Sequence, residues 1–306
     1  MHLVIMLYAL FASVFTISKT GLYYTQPFFF VGSRMCLAGL FMLGYFWIRH
    51  RDQIQFDGQF FRRILRLSIF NIYFTNTLEF YGLKHLTSFK TCFIYSLSPF
   101  FAALFSYFIF TEKLTSKKWV GLLIGCIGMV PILMNESGGE ERMGHIFFLS
   151  WAELAVMGAA ACSVYGWILL KQLVFENKRP IILVNGLSMI IGGIFALGHS
   201  YFVEDWNPIP VTEMLPFMEC MLLLILVSNL ICYNLYGHLL KSYSATFMSF
   251  AGFTTPLFTA LFGWFFLGEV VTLSFYISTA ILFAGLVLFH QEELKLGLTT
   301  EPVAGT

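Results

Sequence analysis

The sequence predicts an all-α membrane protein: ten transmembrane helices arranged as a 5+5 inverted repeat. Three observations lead to this expectation, namely the composition, the spacing of apolar segments and an internal repeat. Hydrophobic residues make up 58% of the chain and charged residues 11%, whereas soluble domains carry about 25% charged residues. A chain with so few charges cannot cover a soluble surface, so the composition indicates an integral membrane protein.

The apolar segments have the length that a bilayer requires. A membrane-spanning helix needs about 20 predominantly apolar residues. Charged or Pro/Gly-rich connections leave ten such segments, at residues 3–20, 27–48, 65–83, 87–110, 117–134, 146–170, 180–202, 214–239, 243–267 and 272–290. The connection at 135–142 is the most polar and is expected to join two halves. The predicted domains are therefore two five-helix repeats, residues 1–134 and 146–290, followed by a polar cytoplasmic tail, 291–306.

Two segments in corresponding parts of these halves share their sequence. The stretches SPFFAALFSYFIFTEKLT and TPLFTALFGWFFLGEVVT agree at eight of eighteen positions without a gap. The shared residues include Pro99 with Pro256 and Glu112 with Glu269, and the members of each pair are 157 residues apart. Repeated bundles of apolar helices are the usual construction of secondary transporters.

The basic residues predict the orientation of the chain. If the N-terminus is cytoplasmic, thirteen Lys and Arg residues lie at inner connections, and only Lys19, Lys84 and Arg142 lie at outer ones. The positive-inside rule then predicts that both termini of this multi-pass protein are cytoplasmic. Because each half has an odd number of helices, the second half is inverted. Glu112 and Glu269 should therefore lie at opposite membrane faces.

These features resemble the drug/metabolite transporter superfamily, in its EamA-like ten-helix branch. The repeated Pro-x12-Glu-x2-Thr pattern carries the similarity, with weaker support from Lys19, Arg34, Gly121 and Ser244-Ala245-Thr246. The resemblance implies alternating access around a cavity formed largely by helices one, three, four, six, eight and nine. In length and general sequence character the chain also resembles the S-adenosylmethionine/S-adenosylhomocysteine transporters of obligate intracellular bacteria such as chlamydiae. That resemblance implies exchange of those two metabolites across a bacterial inner (cell) membrane. Amino-acid or drug/metabolite exporters of the same superfamily are the alternative.

Ionisable side chains inside the spans are candidates for substrate binding, because inserting each one costs roughly 2.5–3.5 kcal/mol. The candidates are Lys90, Glu79, Glu153 and Glu219, while Arg34 is expected to be a structural ion-pair partner. All five are predicted in the outer half of the bilayer, where they could form one polar chamber for a zwitterionic or cationic metabolite. The alternative is that these long side chains reach the headgroups and never contact substrate.

Two further residues complete the predicted substrate-binding set. Tyr95 offers an aromatic ring and a hydroxyl on the helix that carries Lys90, and Asn234 is a polar residue in the eighth span. Lys90 is the sharpest candidate, because its counterpart 157 residues later is Phe247 and repeat symmetry does not require a charge there. If Glu79 takes up a proton, transport should depend on pH. If a counter-substrate balances the charge, transport should be strict exchange.

The repeated segments supply predicted hinge and gate residues. Pro99 and Pro256 each lack a backbone N–H and should kink their helices near mid-membrane. Such kinks can act as hinges, although a purely structural kink is an equal alternative. Glu112 and Glu269 are expected to close opposite gates or to cap neighbouring segments.

Other functional classes are disfavoured. The aspartates Asp52, Asp57 and Asp205 lie in connections, and the chain has neither HExxH nor clustered histidines, so an intramembrane enzyme is a remote alternative. A membrane sensor or assembly subunit would need a soluble domain, and the longest predicted connection has sixteen residues. The six cysteines lack metal-type spacing and the net charge is +1, so we expect no metal, no cofactor and no nucleic acid. The expected partners are a small-molecule metabolite and the lipid bilayer, with the chain acting as a monomer or homodimer.

Overall fold

A computed structural model describes residues 2–50, 58–109, 115–134, 145–146, 149–176, 179–240, 243, 248 and 251–295. The helices are α1 (His2–Gly21), α2 (Pro27–His50), α3 (Gly58–Leu67), α4 (Thr75–His85), α5 (Ser88–Tyr95), α6 (Ser98–Ile109), α7 (Ser116–Met134), α8 (Trp151–Lys171), α9 (Ile181–Val203), α10 (Met214–Leu224), α11 (Tyr233–Leu239), α12 (Thr255–Phe262) and α13 (Leu273–Lys295). A short antiparallel hairpin pairs β1 (His145–Ile146) with β2 (Leu149–Ser150) ahead of α8.

Most of these helices have the length and polarity of membrane helices. Within the described ranges, seven segments are long and apolar enough to cross a bilayer: His2–Gly21, Pro27–Arg49, Ser88–Phe105, Ser116–Met134, Trp151–Val174, Ile181–Val203 and Met214–Leu239. Two shorter apolar helical segments are Gly252–Leu267 and Leu273–Gly285. The prediction of an all-α membrane protein is confirmed.

Among the described residues four stretches are π-helix, and the two longest each join a pair of α-helices. The segment Ser68–Phe74 joins α3 to α4, and Ile225–Cys232 joins α10 to α11. A π-turn holds one more residue than an α-turn, so it rotates the residues that follow it about the helix axis, and such turns are frequent at functional sites. The residues rotated in this way begin with Thr75 and Tyr233.

The helices pack in a small number of close pairs. α2 packs along α9, α7 along α13, α4 along α8, α1 along α10 and α12, and α5 along α12. Glycines make two of these contacts possible. A Cβ at Gly193 of α9 would lie 2.9 Å from the backbone N of Cys36 in α2, and a Cβ at Gly82 of α4 would lie 2.8 Å from the carbonyl oxygen of Ala152 in α8. Backbone atoms cannot move aside as a side chain can, so both contacts require glycine.

Several helix boundaries differ from those predicted. The predicted span 87–110 is two helices, α5 and α6, with a break at 96–97. The sixth helix begins at Trp151 rather than at 146, because Ser150 and Glu153 form a reciprocal capping box that starts it there. The last helix continues beyond 290 to Lys295. The connection 135–142 and the tail 296–306 lie outside the described residues.

Candidate functional site

A cavity of about 450 Å³ lies between the helices. Its lining comes from α1, α2, α4, α5, α6, α8, α11 and α12 and from short segments between them. The volume falls within the range of roughly 300–1,000 Å³ that is typical of small-molecule sites. Counted as predicted membrane spans, these are helices one, three, four, six, eight and nine, the set that the family resemblance assigns to a central cavity. One residue from α2, Arg34, is added to them.

Two side chains of opposite charge line the cavity. Arg34 is 1% exposed and Glu79 is 9% exposed. The Arg34 Nη2 donates to Asn76 Oδ1 at 2.8 Å, and its guanidinium carbon lies 4.7 Å from the centroid of the Phe80 ring. Among the described residues no carboxylate oxygen comes within 4.0 Å of the Arg34 nitrogens, so the ion pair expected for Arg34 is not formed.

Asn76 fixes the position of this guanidinium. Its Nδ2 donates to the carbonyl of Ile72 at 2.9 Å and to Tyr233 Oη at 3.3 Å. With the amide nitrogen engaged on that side, Oδ1 is left to accept from Arg34. Asn76 is the second residue after the π-helix of its helix, and Tyr233 is the first residue after the π-helix of the other. Both π-segments therefore help to turn these polar groups towards the cavity.

Aromatic rings form another part of the lining. Trp167 lies 4.1 Å from Tyr236 between ring centroids, at an interplanar angle of 30°. The rings of Tyr95 and Phe15 meet edge-to-face, with their centroids 6.1 Å apart. The Tyr8 hydroxyl donates to the backbone carbonyl of Met248. Rings of this kind offer both flat apolar faces and polar hydroxyls, a combination suited to a planar heterocycle.

The two repeated prolines lie at helix breaks beside the cavity. Pro99 lines it, and the carbonyl of Tyr95, which the missing proline N–H leaves without its helical donor, accepts from Ser98 Oγ at 2.6 Å. Pro256 is buried in the first turn of α12, next to Thr255, which lines the cavity. Their action as hinges stays a prediction.

Four of the predicted substrate-binding residues lie away from the cavity lining. Lys90 Nζ is 3.0 Å from Glu153 Oε1, with both side chains almost fully buried. Asn234 Oδ1 accepts from an amide on α9, and Glu219 is exposed on α10. The five ionisable residues therefore do not share one chamber, since their helices present them in different directions. Contact of these four with substrate stays a prediction.

The predicted gate residue Glu269 connects the two sequence halves. Its carboxylate accepts from the backbone N and the Oγ of Ser88, both at 2.7 Å, and so caps the first turn of α5. Just before Ser88, the carbonyls of Leu83 and Leu86 at the end of α4 each accept from Lys19 Nζ at 2.8 Å. Glu112, the repeat counterpart of Glu269, lies outside the described residues.

Sequence reasoning missed Trp167 as a cavity residue and the contact of Tyr233 with Asn76. The chain is rich in aromatic residues, so a single Trp carries little signal. The second omission had a signal available, because Tyr233 lies 157 residues after Asn76. In the part of the chain that the structure describes, no group of three or more His, Cys, Asp or Glu side chains could hold a metal ion.

Comparisons with known proteins indicate the family of this chain. The profile of the EamA-like transporter family matches residues 1–134 and 150–290. An S-adenosylmethionine/S-adenosylhomocysteine transporter of Chlamydia muridarum is 38% identical over 289 residues, which cover 94% of this chain and 90% of that protein. The protein of the same name from Chlamydia trachomatis serovar D is 37% identical over 295 residues, with 95% and 90% coverage.

More distant proteins are also similar to this chain. The uncharacterized transporter YvbV of Bacillus subtilis is 25% identical over 273 residues, covering 89% of this chain and 83% of that protein. A crystal structure of another protein superposes with a TM-score of 0.67 at 15% identity and covers 96% of each chain, which shows a common fold. With the family profile matched in both halves, this chain belongs to the EamA-like transporter family.

Proposed function

We propose that this protein is a secondary transporter that exchanges S-adenosylmethionine for S-adenosylhomocysteine across a bacterial inner membrane. The observation that carries the proposal is the 37–38% identity, over 94–95% of the chain, with chlamydial proteins that bear that name. Since the sequence offers no ATP-binding motif, the driving force would be a gradient or the exchange itself.

The ten-helix inverted repeat is part of this proposal, and the 157-residue offset supports it. The two long π-helices begin at Ser68 and Ile225, which are 157 residues apart. Pairs of cavity-lining residues have the same separation: Asn76 with Tyr233, Glu79 with Tyr236, Tyr95 with Gly252 and Ser98 with Thr255. Equivalent residues that surround one cavity are expected if the pseudo-two-fold axis of an inverted repeat passes through it.

The lining suits the chemistry of the proposed substrates. S-adenosylmethionine combines a planar adenine, a cationic sulfonium and an α-amino acid end. Glu79 provides a carboxylate inside the cavity, and Tyr95 and Trp167 provide aromatic surface for a heterocycle. We assign substrate contact to Glu79 and Tyr95, the two predicted binding residues that line the cavity.

Contacts near the predicted outer face of the membrane indicate the face from which access to the cavity is closed. The ion pair of Lys90 with Glu153 and the bonds of Glu269 to Ser88 both lie towards the outer face in the predicted orientation. The cavity lining includes Lys171 at the predicted cytoplasmic end of α8. We assign this structure to a state closed outside, in which Glu269 and Ser88 form an outer gate that must separate when the halves move about Pro99 and Pro256.

Uptake of radiolabelled S-adenosylmethionine into expressing cells tests the proposal. The assay should include competition by S-adenosylhomocysteine, a panel of amino acids and nucleotide sugars, and cells that carry the empty vector. Saturable uptake that S-adenosylhomocysteine blocks most strongly is the expected result. Absence of uptake, with insertion of the protein demonstrated, would contradict it and favour an amino-acid or drug/metabolite exporter of the same fold.

A further inference from the structure

We infer that Arg34 and Glu79 together bind the zwitterionic α-amino acid end of the ligand, Arg34 its carboxylate and Glu79 its ammonium group. The inference rests on the proposed function and deepens it, because it assigns an orientation to the ligand and a binding role to Arg34. A purely structural role was expected for that residue from its sequence context.

Across the described ranges, Arg34 lacks hydrogen-bond partners that a buried guanidinium needs. A guanidinium has five N–H donors, and Arg34 is 1% exposed. Within the described residues its Nε and Nη1 have no hydrogen-bond partner, and only Nη2 is engaged, with Asn76. A buried charge that lacks partners is costly. A side chain in this condition at the wall of a cavity calls for an anion in that cavity.

Glu79 is in the complementary condition. It lines the same cavity, and no described residue donates a hydrogen bond to its carboxylate or forms an ion pair with it. Arg34 and Glu79 are close enough to interact electrostatically, yet they are not within the 4.0 Å of an ion pair. Two opposite charges held apart at one cavity wall match a ligand that carries both charges itself.

The geometry of the guanidinium favours a carboxylate as its anion. Arginine presents paired N–H groups that match the two oxygens of a carboxylate, and such charge-assisted bonds are the strongest of their kind. Asn76 and the face of Phe80 hold the group from two sides without neutralising its charge. With the amino acid end fixed here, the nucleoside would extend towards the aromatic residues Trp167 and Tyr95, which line the same cavity.

Competition by chemically trimmed ligands tests the assignment. Uptake of S-adenosylmethionine would be inhibited with S-adenosylhomocysteine and with its decarboxylated analogue, in wild type, Arg34→Gln and Arg34→Lys. Arg62→Gln is the matched control, because Arg62 is exposed on α3. In wild type and the control, the decarboxylated analogue should need about 10- to 100-fold higher concentration for half inhibition. In Arg34→Gln the ratio of the two half-inhibitory concentrations should fall to about threefold or less. In Arg34→Lys the ratio should lie between the values for wild type and Arg34→Gln.

The ratio is internal to each variant, so lower expression or slower transport does not alter it. Equal inhibition by both compounds in wild type would overturn the inference whatever the variants do, even if Arg34→Gln fails to insert. So would a ratio that Arg34→Gln leaves unchanged.

A second experiment distinguishes failure of the proposed function from failure of the zwitterion site. If wild type takes up no S-adenosylmethionine, the purified protein would be heated with methionine or with 3-(methylthio)propylamine, which lacks the carboxylate. Stabilisation by methionine that is absent for the amine and is lost in Arg34→Gln would uphold the zwitterion site without that substrate. Equal effects of both compounds, or none, would overturn it.

Discussion

Asn76 donates a hydrogen bond to Tyr233 at 3.3 Å, and the two residues are 157 positions apart in the sequence. The same offset relates Pro99 to Pro256. In the proposed inverted repeat, these two residues are equivalent, and equivalent residues can touch only close to the axis that relates the halves. Since Asn76 also accepts a hydrogen bond from Arg34, the charged residues proposed to bind substrate lie beside that axis, between the two halves.

Replacing Asn76 by Ala should reduce S-adenosylmethionine transport by about tenfold or more. The change removes the acceptor that positions Arg34 Nη2, and a hydrogen bond to a charged group contributes about 1.5–3 kcal/mol. Tyr233→Phe removes only a long 3.3 Å bond and should reduce transport less. Initial uptake rates, normalised to inserted protein, measure both effects. Wild-type transport by Asn76→Ala would show that Arg34 needs no support from this amide.

The ion pair of Lys90 with Glu153 should act on stability. Lys90→Met leaves the Glu153 carboxylate buried without its cation, which should cost about 3–5 kcal/mol. Adding Glu153→Gln should recover most of the loss, because Gln can keep the capping box with Ser150 while removing the charge. Thermal unfolding of the detergent-purified variants measures this. If the double variant is no more stable than the single one, the pair does not act as described.

The contact of Glu269 with Ser88 should hold the outer side closed. In a protein whose sole cysteine is Cys92, a buried residue of the cavity lining, Glu269→Gln should speed labelling by an impermeant maleimide added outside by roughly tenfold. Ser88→Ala removes one of the two bonds and should have a smaller effect. Glu213→Gln, at an exposed carboxylate, is the control. Unchanged labelling in Glu269→Gln would remove this contact from the gating scheme.

Gly193 and Gly198 on α9 should respond differently to the same substitution. A Cβ at Gly193 would meet the backbone of α2 at 2.9 Å, so Gly193→Ala should destabilise the protein by about 1–3 kcal/mol. A Cβ at Gly198 has no neighbour within 4 Å, so Gly198→Ala should be tolerated. Unfolding temperatures of the two variants give the comparison. Equal temperatures would mean that α2 and α9 are less closely packed than described.

The sequence was informative about the class of protein and the helices around the cavity. Composition predicts a membrane bundle because burial of apolar surface in lipid tolerates few charges. The Pro99 motif marks the break between α5 and α6, since a proline cannot supply the helical N–H. These are local properties that the identity of one or two residues decides.

The sequence was less informative about which charges face the cavity. Position along a helix predicts depth in the membrane, and depth alone groups Lys90, Glu219 and Glu79 together. Direction about the helix axis depends on packing and on the π-helices, which no single-residue pattern revealed. Glu219 is exposed although the next residue, Cys220, is buried, and Lys90 turns towards α8 while Glu79 turns into the cavity.

Counterflow in liposomes is the first measurement to make of the proposed exchange. Purified protein would be reconstituted into liposomes loaded with unlabelled S-adenosylhomocysteine, and entry of labelled S-adenosylmethionine would be followed without any ion gradient. We expect rapid entry that requires S-adenosylhomocysteine inside the liposomes. Unlabelled S-adenosylmethionine inside should support the same entry. Entry at the same rate into empty liposomes would contradict obligatory exchange, and no entry into either would contradict the assigned substrate.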